Sequence, residues 1–233
     1  MTYVTLRGLH GHTQKLRPPV ETPRGRRCFI PTFGVPLITV QVRTSGQPGR
    51  MFSSSAFAKQ VPFGTALALN ATAADVQAEE TDRMDRVFDR PTPFTKRGLM
   101  IVRATKSRQV AIVQARRIQA GYLSMQEEGG TRHPKRRAIL MPAGVRRNKY
   151  GNMAKGAVKR LLARDDTFSG KVNGRPGIWQ RKRDGSVVLL VSYETKSEYQ
   201  PRWEFKLSAV DLVRRRYDVH FREGMARAMA SAK

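Results

Sequence analysis

The sequence predicts an α+β fold, with a long N-proximal helix and a C-terminal helix bracketing two β-hairpins that form a small antiparallel sheet. Three observations predict it. Apolar residues recur at helical spacing in two long stretches, one before residue 90 and one after residue 207. Between them lie two pairs of β-branched-rich runs, each pair joined by a short polar turn. Of the 233 residues 39% are apolar, enough to bury a core.

The first fifty residues read as an extended arm. Pro18, Pro19, Pro23, Pro31, Pro36 and Pro48 interleave with Arg24, Arg26, Arg27, Arg43 and Arg50, and there are eight basic residues against one acidic. Prolines interrupt any helical or strand period, and only Leu37 to Val42 reads as a short strand. Met51, followed by Phe52, Ser53, Ser54 and Ser55, also suits a start of translation, in which case residues 1–50 are not native and 51–233 is the whole single α+β domain.

A helix is expected from Pro62, placed in its first turn, through Phe88. Leu69, Ala73, Val76, Met84, Val87 and Phe88 form its apolar stripe. Its exposed side is expected to carry Glu79, Glu80, Asp82 and Asp85, and residues 51–90 hold six acidic against four basic residues. That contrast with the basic remainder marks a candidate docking helix, against the plainer reading of a solvated face. Pro91, Thr92 and Pro93 end it.

Gly98 to Thr105 and Gln109 to Ala115, joined by Lys106, Ser107 and Arg108, predict the first hairpin. A short mixed segment follows around Tyr122 to Glu128, then a break at Gly129-Gly130, a basic cluster and the apolar run Ala138 to Met141. Asn148 to Asn152 is a turn-rich link into a helix near Ala154 to Arg164. Ile178 to Lys182 and Val187 to Tyr193 predict the second hairpin around Asp184-Gly185, a dipeptide suited to positive φ. Ser208 to Ala230 reads as the closing helix, with Val210, Val213, Tyr217, Phe221 and Met225 near one stripe.

Composition narrows function. Lysine and arginine number 44 against 18 aspartate and glutamate, a formal charge of +26 and a pI near 11.4. Such a field attracts polyanions: nucleic acid, acidic membrane surfaces or an acidic partner protein. The single cysteine, Cys28, excludes an intrachain disulfide and a cysteine-rich metal site. No apolar run approaches the roughly 20 residues a membrane-spanning helix needs, and the first 30 residues lack a signal-peptide core. Synthesis in the cytoplasm without export or a membrane anchor is the expectation.

No enzyme class gains support. The sequence holds no phosphate-binding P-loop, no His-Glu-x-x-His zinc helix and no Gly-x-Ser-x-Gly elbow. His10, His12 and Cys28 are irregularly spaced within the arm. His133 beside Pro134, and His220 in the last helix, suit surface or packing roles better than general-base catalysis. Asp165 and Asp166 suit a turn better than an acidic metal pair. No catalytic, cofactor or metal residue is assigned.

The basic residues do cluster. Arg132, Lys135, Arg136 and Arg137, then Arg146, Arg147 and Lys149, then Arg181, Lys182 and Arg183, and finally Arg214, Arg215 and Arg216 are the candidate interface or DNA-facing residues. Trp179, Tyr193 and Trp203 would offer stacking surfaces if exposed. Trp179 and Trp203, however, alternate with apolar neighbours as core residues do. A nucleic-acid groove would demand a continuous basic stripe with exposed aromatics.

Three stretches carry a resemblance. Ala66-Leu67-Ala68-Leu69-Asn70-Ala71-Thr72-Ala73 precedes Arg86-Val87-Phe88-Asp89-Arg90-Pro91-Thr92-Pro93-Phe94-Thr95. Later come Pro142-Ala143 and Asn148-Lys149-Tyr150-Gly151-Asn152-Met153. Gly177-Ile178-Trp179-Gln180-Arg181 then leads to Tyr199, Arg202 and Phe205. Over residues 60–230 this pattern resembles the minor tail protein Z family of lambda-like tailed bacteriophages. The resemblance implies a non-enzymatic virion protein that completes the tail at the head–tail neck. Its implied partners are other tail or neck proteins, such as tail tube, terminator or connector rings. It also implies a homo-oligomeric ring and non-specific contact with genome DNA. No functional residue carries over. Pro91, Pro93, Phe94 and Tyr150-Gly151-Asn152 are expected to set shape. The alternative from another class is a backbone-directed DNA-binding protein of phage or prophage origin.

Overall fold

The structure, a computed structural model, describes residues 2–6, 39–44 and 55–231, with side chains at 41–42 and 60–231. It is α+β. A four-stranded antiparallel sheet is built from β1 (Thr2–Leu6), β2 (Thr39–Thr44), β3 (Leu99–Val102) and β4 (Val110–Ala115) in the order β1-β2-β4-β3. The expected hairpin is β3–β4, and the short strand expected at Leu37–Val42 is β2, shifted two residues on. The rest of the stretch read as an arm, with His10, His12, Cys28 and Met51, lies outside the described residues.

Strand β4 alternates as a half-buried strand must: Ala111, Val113 and Ala115 are buried, and the residues between them are half-buried. Helix α1 (Ser55–Val87) lies against this sheet, adding Ala66, Ala68, Leu69, Ala73, Val76 and Met84 to the same core. Two amide side chains fix its position. Asn70 Nδ2 donates to the Ala104 carbonyl at 3.0 Å while its Oδ1 accepts the Ala104 N–H at 2.8 Å, and Gln77 Nε2 donates to the Leu99 carbonyl at 2.9 Å.

Helix α1 starts seven residues before the expected Pro62, which therefore sits inside the helix and withholds one backbone hydrogen bond. Helix α1 packs against the closing helix α5 (Phe205–Ala230), from Gly64, just after this proline, onward. The two run antiparallel: Gly64 lies beside Gly224 and Met225, Asp75 meets Arg216 and His220, and Arg83 reaches Glu204. Of the expected stripe on α5, Val213 and Tyr217 are buried, and Val210, Phe221 and Met225 are half-buried.

Helix α1 ends at Val87, with Arg90 at φ +49°. The short α2 (Pro93–Lys96) follows, N-capped by the Thr92 hydroxyl, which accepts the Thr95 N–H at 3.2 Å. The segment read as mixed around Tyr122 is a full helix, α3 (Arg117–Glu128), closed by Gly129 at φ +70°. Its Gln119 and Ser124 are buried alongside Ala120 and Leu123, which blurs the apolar period that would have betrayed it.

Helix α5 begins three residues before the expected Ser208, and its capping group comes from α3. The Glu127 carboxylate accepts the N–H groups of Phe205 at 2.7 Å and Lys206 at 3.1 Å, two of the donors a helix start leaves unpaired. Just before it, Trp203 is fully buried among Phe88 and Phe205, and Arg83 Nε donates to its carbonyl at 2.9 Å.

The chain leaves this body through β5 (Gly130–Arg132) and returns through its antiparallel partner β10 (Ser197–Tyr199). Between them lies an inserted unit, an antiparallel sheet ordered β6-β9-β8-β7, made of β6 (Ile139–Pro142), β7 (Thr167–Val172), β8 (Arg175–Arg181) and β9 (Val187–Glu194). The expected second hairpin is β8–β9, with Gly185 at φ +79°. A third hairpin, β7–β8, joins the two expected ones. Its turn is Asn173-Gly174 with φ +47° and +81°, the residues a two-residue turn of this hand prefers. Helix α4 (Ala157–Leu162) is shorter than expected and packs with Val145 and Met153 onto Ile178, Leu190 and Val191, a core separate from the main one.

Candidate functional site: a basic contact surface

The inserted unit carries nearly half of the net charge. Between Gly130 and Tyr199 there are seventeen lysines and arginines against five aspartates and glutamates. Arg132 lies on β5; Lys135, Arg136 and Arg137 follow in the connection to β6; Arg146, Arg147 and Lys149 fall in the loop before α4; Arg181, Lys182 and Arg183 lead into the β8–β9 turn. All ten are exposed, and among the described residues none pairs with a carboxylate. A cation left unpaired on a surface keeps its field available to a partner. The fourth predicted cluster differs: Arg214 lies 3.8 Å from Asp211 and Arg216 lies 3.0 Å from Asp75, so much of its charge is met within the chain.

The cations are held by ordered backbone. The Asn148 Oδ1 accepts the N–H groups of Tyr150 and Asn152, each at 3.0 Å, and Gly151 closes the loop at φ +78°. The residues Tyr150-Gly151-Asn152 thus set local shape as expected. Phe94, expected to do the same, is 52% exposed on α2, and its backbone carbonyl accepts from Gln119 Nε2 at 3.2 Å. In the β8–β9 turn the Asp184 carboxylate accepts from Ser186 N–H at 2.9 Å and Ser186 Oγ at 2.6 Å, and those bonds hold it below its ordinary range. Arg181 lies over the Phe168 ring at 4.6 Å.

Two cavities lie among these residues. One, of about 630 Å³, brings Arg146, Arg147 and Lys149 together with Arg160 and Arg164 of the α4 segment. Sequence reasoning missed the last two. Their i, i+4 spacing on the helix expected through Arg164 was the available signal, since such residues share a face; in the structure Arg164 lies in the turn just after α4. The other, of about 520 Å³, places Arg132, His133 and Lys135 beside Ile118, Tyr122 and Tyr199. Asp166, read as a turn residue, is one: bonds from Arg164 and from Gln180 hold its carboxyl below the usual range.

The aromatic residues are placed as core. Trp179 is 7% exposed and Trp203 is 0% exposed, so neither offers a stacking face, and Tyr193 is half-buried with its hydroxyl 2.9 Å from Ser169 Oγ. Of the four acidic residues on the candidate docking helix, Glu79 and Asp85 are exposed but engaged with Arg86 at 2.7 Å and Lys96 at 2.5 Å, and Asp82 is exposed. Glu80 corrects the expectation. It is buried at 1% exposure, facing α5, where the Ser208 hydroxyl donates to Oε1. Glu80 stands four residues after Val76 and four before Met84, on the same face as these buried residues, so the helical period carries it inward.

His220 lies on α5 with Nε2 2.8 Å from Asp75 Oδ2 and Nδ1 3.6 Å from Glu223. Burial pushes the Asp75 carboxyl up, and the bonds from His220 and Arg216 outweigh it and hold the group below its ordinary range. Among the described residues no three histidine, cysteine or acidic side chains gather to hold a metal, and no helix is long and apolar enough to cross a membrane. No protein-family model, no curated protein and no solved structure matches the chain.

Proposed function

We propose that this chain is a non-enzymatic structural component of a tailed-phage particle, a minor tail or tail-completion protein at the head–tail neck. The observation that carries the reading is the set of ten exposed cations on the inserted unit with no carboxylate partner among the described residues. A charge layout of this kind serves contact with acidic neighbours, and the resemblance over residues 60–230 supplies the assembly in which such neighbours exist. The buried tryptophans weigh against a stacking platform for single strands.

Quantitative peptide mass spectrometry on purified particles of the source phage tests the reading. A closed ring at the neck predicts a low copy number, on the order of a few to a dozen per particle. Absence from particles, with the chain present in infected cells, would sink the structural role and favour the DNA-binding alternative.

A further inference from the structure

One of the basic surfaces is a built concavity. The cleft of about 630 Å³ has a loop wall bearing Arg146, Arg147 and Lys149 and a second wall formed by α4 and the turn after it, bearing Arg160 and Arg164. Apolar lining comes from Val145, Ala157 and Leu161. Val145 and Leu161 also rest on the core of Ile178, Leu190 and Val191. The loop wall is pinned at both ends: Asn148 N–H donates to the Asn152 carbonyl at 2.8 Å, Gly151 N–H donates to the Asn148 carbonyl at 2.9 Å, and Arg147 bridges to Met153. Of the five cations only Arg164 has a carboxylate partner among the described residues, Asp166 at 2.6 Å. Arg147 Nη2 donates to the Pro142 carbonyl at 2.6 Å, Arg160 Nη1 to the Lys155 carbonyl at 3.2 Å, and Lys149 Nζ sits 5.1 Å from the Tyr150 ring centre.

We propose that this cleft binds the phosphodiester backbone of DNA, with Arg146, Arg147, Lys149 and Arg160 holding successive phosphates. The guanidinium fork matches two phosphate oxygens, and three of these four cations are arginines. Several cations along an open trough suit a chain of regularly spaced anions, where a single anion would call for donors converging on one point. None of the residues lining the cleft is aromatic, so it suits the backbone of a duplex rather than stacked single-strand bases, and binding is blind to sequence and steeply salt-dependent. The proposal deepens the reading of the inserted unit as a contact surface by naming the polyanion it takes.

The test uses the full chain, a short labelled duplex and fluorescence anisotropy over a series of salt concentrations. Replacing Arg146, Lys149 and Arg160 by glutamine should lower the slope of log affinity against log salt by roughly 2 to 3. The control Arg103→Gln, Arg108→Gln, Arg117→Gln removes the same charge from exposed positions outside the inserted unit and should change the slope far less. Circular dichroism melts confirm that both triple variants fold, and Arg146→Lys with Arg160→Lys should retain most of the salt slope. Equal losses in the two triple variants would overturn the cleft in favour of the overall charge of the chain. Displacement of the duplex at constant ionic strength by inorganic phosphate would overturn it in favour of a free-anion pocket, and equal displacement by polyglutamate in favour of an acidic protein. Binding by the purified chain is independent of particle composition. A chain absent from particles whose cleft variant still loses DNA affinity would refute the virion reading and leave this one standing.

Discussion

Glu80 is the residue where burial and charge conflict most. Its Oε1 accepts from Ser208, but Oε2 has no partner among the described residues. Burial, the largest influence, pushes its carboxyl up to about 7; the Ser208 bond and the charge of Arg83 pull it down, while Glu127 and Glu79 push it up. A raised value in the folded chain means that folding favours the protonated acid. This contribution to stability is complete below the ordinary value of 4.5 and is lost as pH rises through about 7. Glu80→Gln cannot ionise, so it should match the parent chain near pH 4.5 and exceed it at pH 8 by about 1 to 3 kcal/mol. Urea unfolding at the two pH values checks this, and a gap that is constant with pH would contradict it. Tyr217 offers a second case. Its hydroxyl is buried without a partner among the described residues, and burial pushes it up to about 12. Tyr217→Phe removes the unpaired group while keeping the ring near Phe221, and should raise the unfolding free energy by about 1 kcal/mol.

At the scale of elements, helices α1 and α5 approach closely where Gly64 meets Gly224. A Cβ built on Gly224 would lie 2.6 Å from the Gly64 carbonyl oxygen, a backbone atom that cannot swing aside. Gly224→Ala should therefore cost about 1 to 3 kcal/mol in urea unfolding, despite alanine's better helix propensity. The sequence shows both helices but not this crossing, because a glycine within a helix reads locally only as a weak former. The same limit explains the other differences. The hairpins β3–β4 and β8–β9 were legible from their β-branched runs and polar turns. The Asn173-Gly174 turn was equally legible as chemistry, but Gly170, Gly174 and Gly177 dilute the apolar pattern of the flanking strands. Helix α5 opens at Phe205 because Glu127, distant in sequence, caps it, and Glu80 is buried because α5 lies over it. The cap is a consequence of packing that no local window contains, whereas the place of Glu80 four residues from both Val76 and Met84 was legible in the helical period. For the candidate surface, the clustered arginines were visible as runs, whereas the partnership of Arg160 with Arg146 across a cleft required the fold.

For the whole molecule, a domain begun at Met51 would differ in structure from the full chain. Strand β2 lies between β1 and β4, pairing residues Thr39 to Arg43 with Gln114 to Val110, and its Val42 is 0% exposed within the main core. A chain begun at Met51 lacks β1 and β2 together. Strand β4, now central, would become an edge, and its Val113 and Ala111 would lose the neighbour that covers them. An uncovered edge with unpaired N–H and C=O groups is a template for pairing with another copy. Loss of Val42 alone removes roughly 1.5 to 3 kcal/mol of apolar burial. The expected outcome is that the Met51–Lys233 chain melts several degrees below the full chain and shows concentration-dependent association in analytical ultracentrifugation, while the full chain does not associate through this edge. Restoring residues 37–50 in front of Met51 supplies β2 without β1 and should recover most of the lost stability, because β2 is the strand that touches β4 and the core. If the Met51 chain instead melts with the full chain and stays unassociated, β2 contributes nothing to the fold and the functional body of the protein begins with α1.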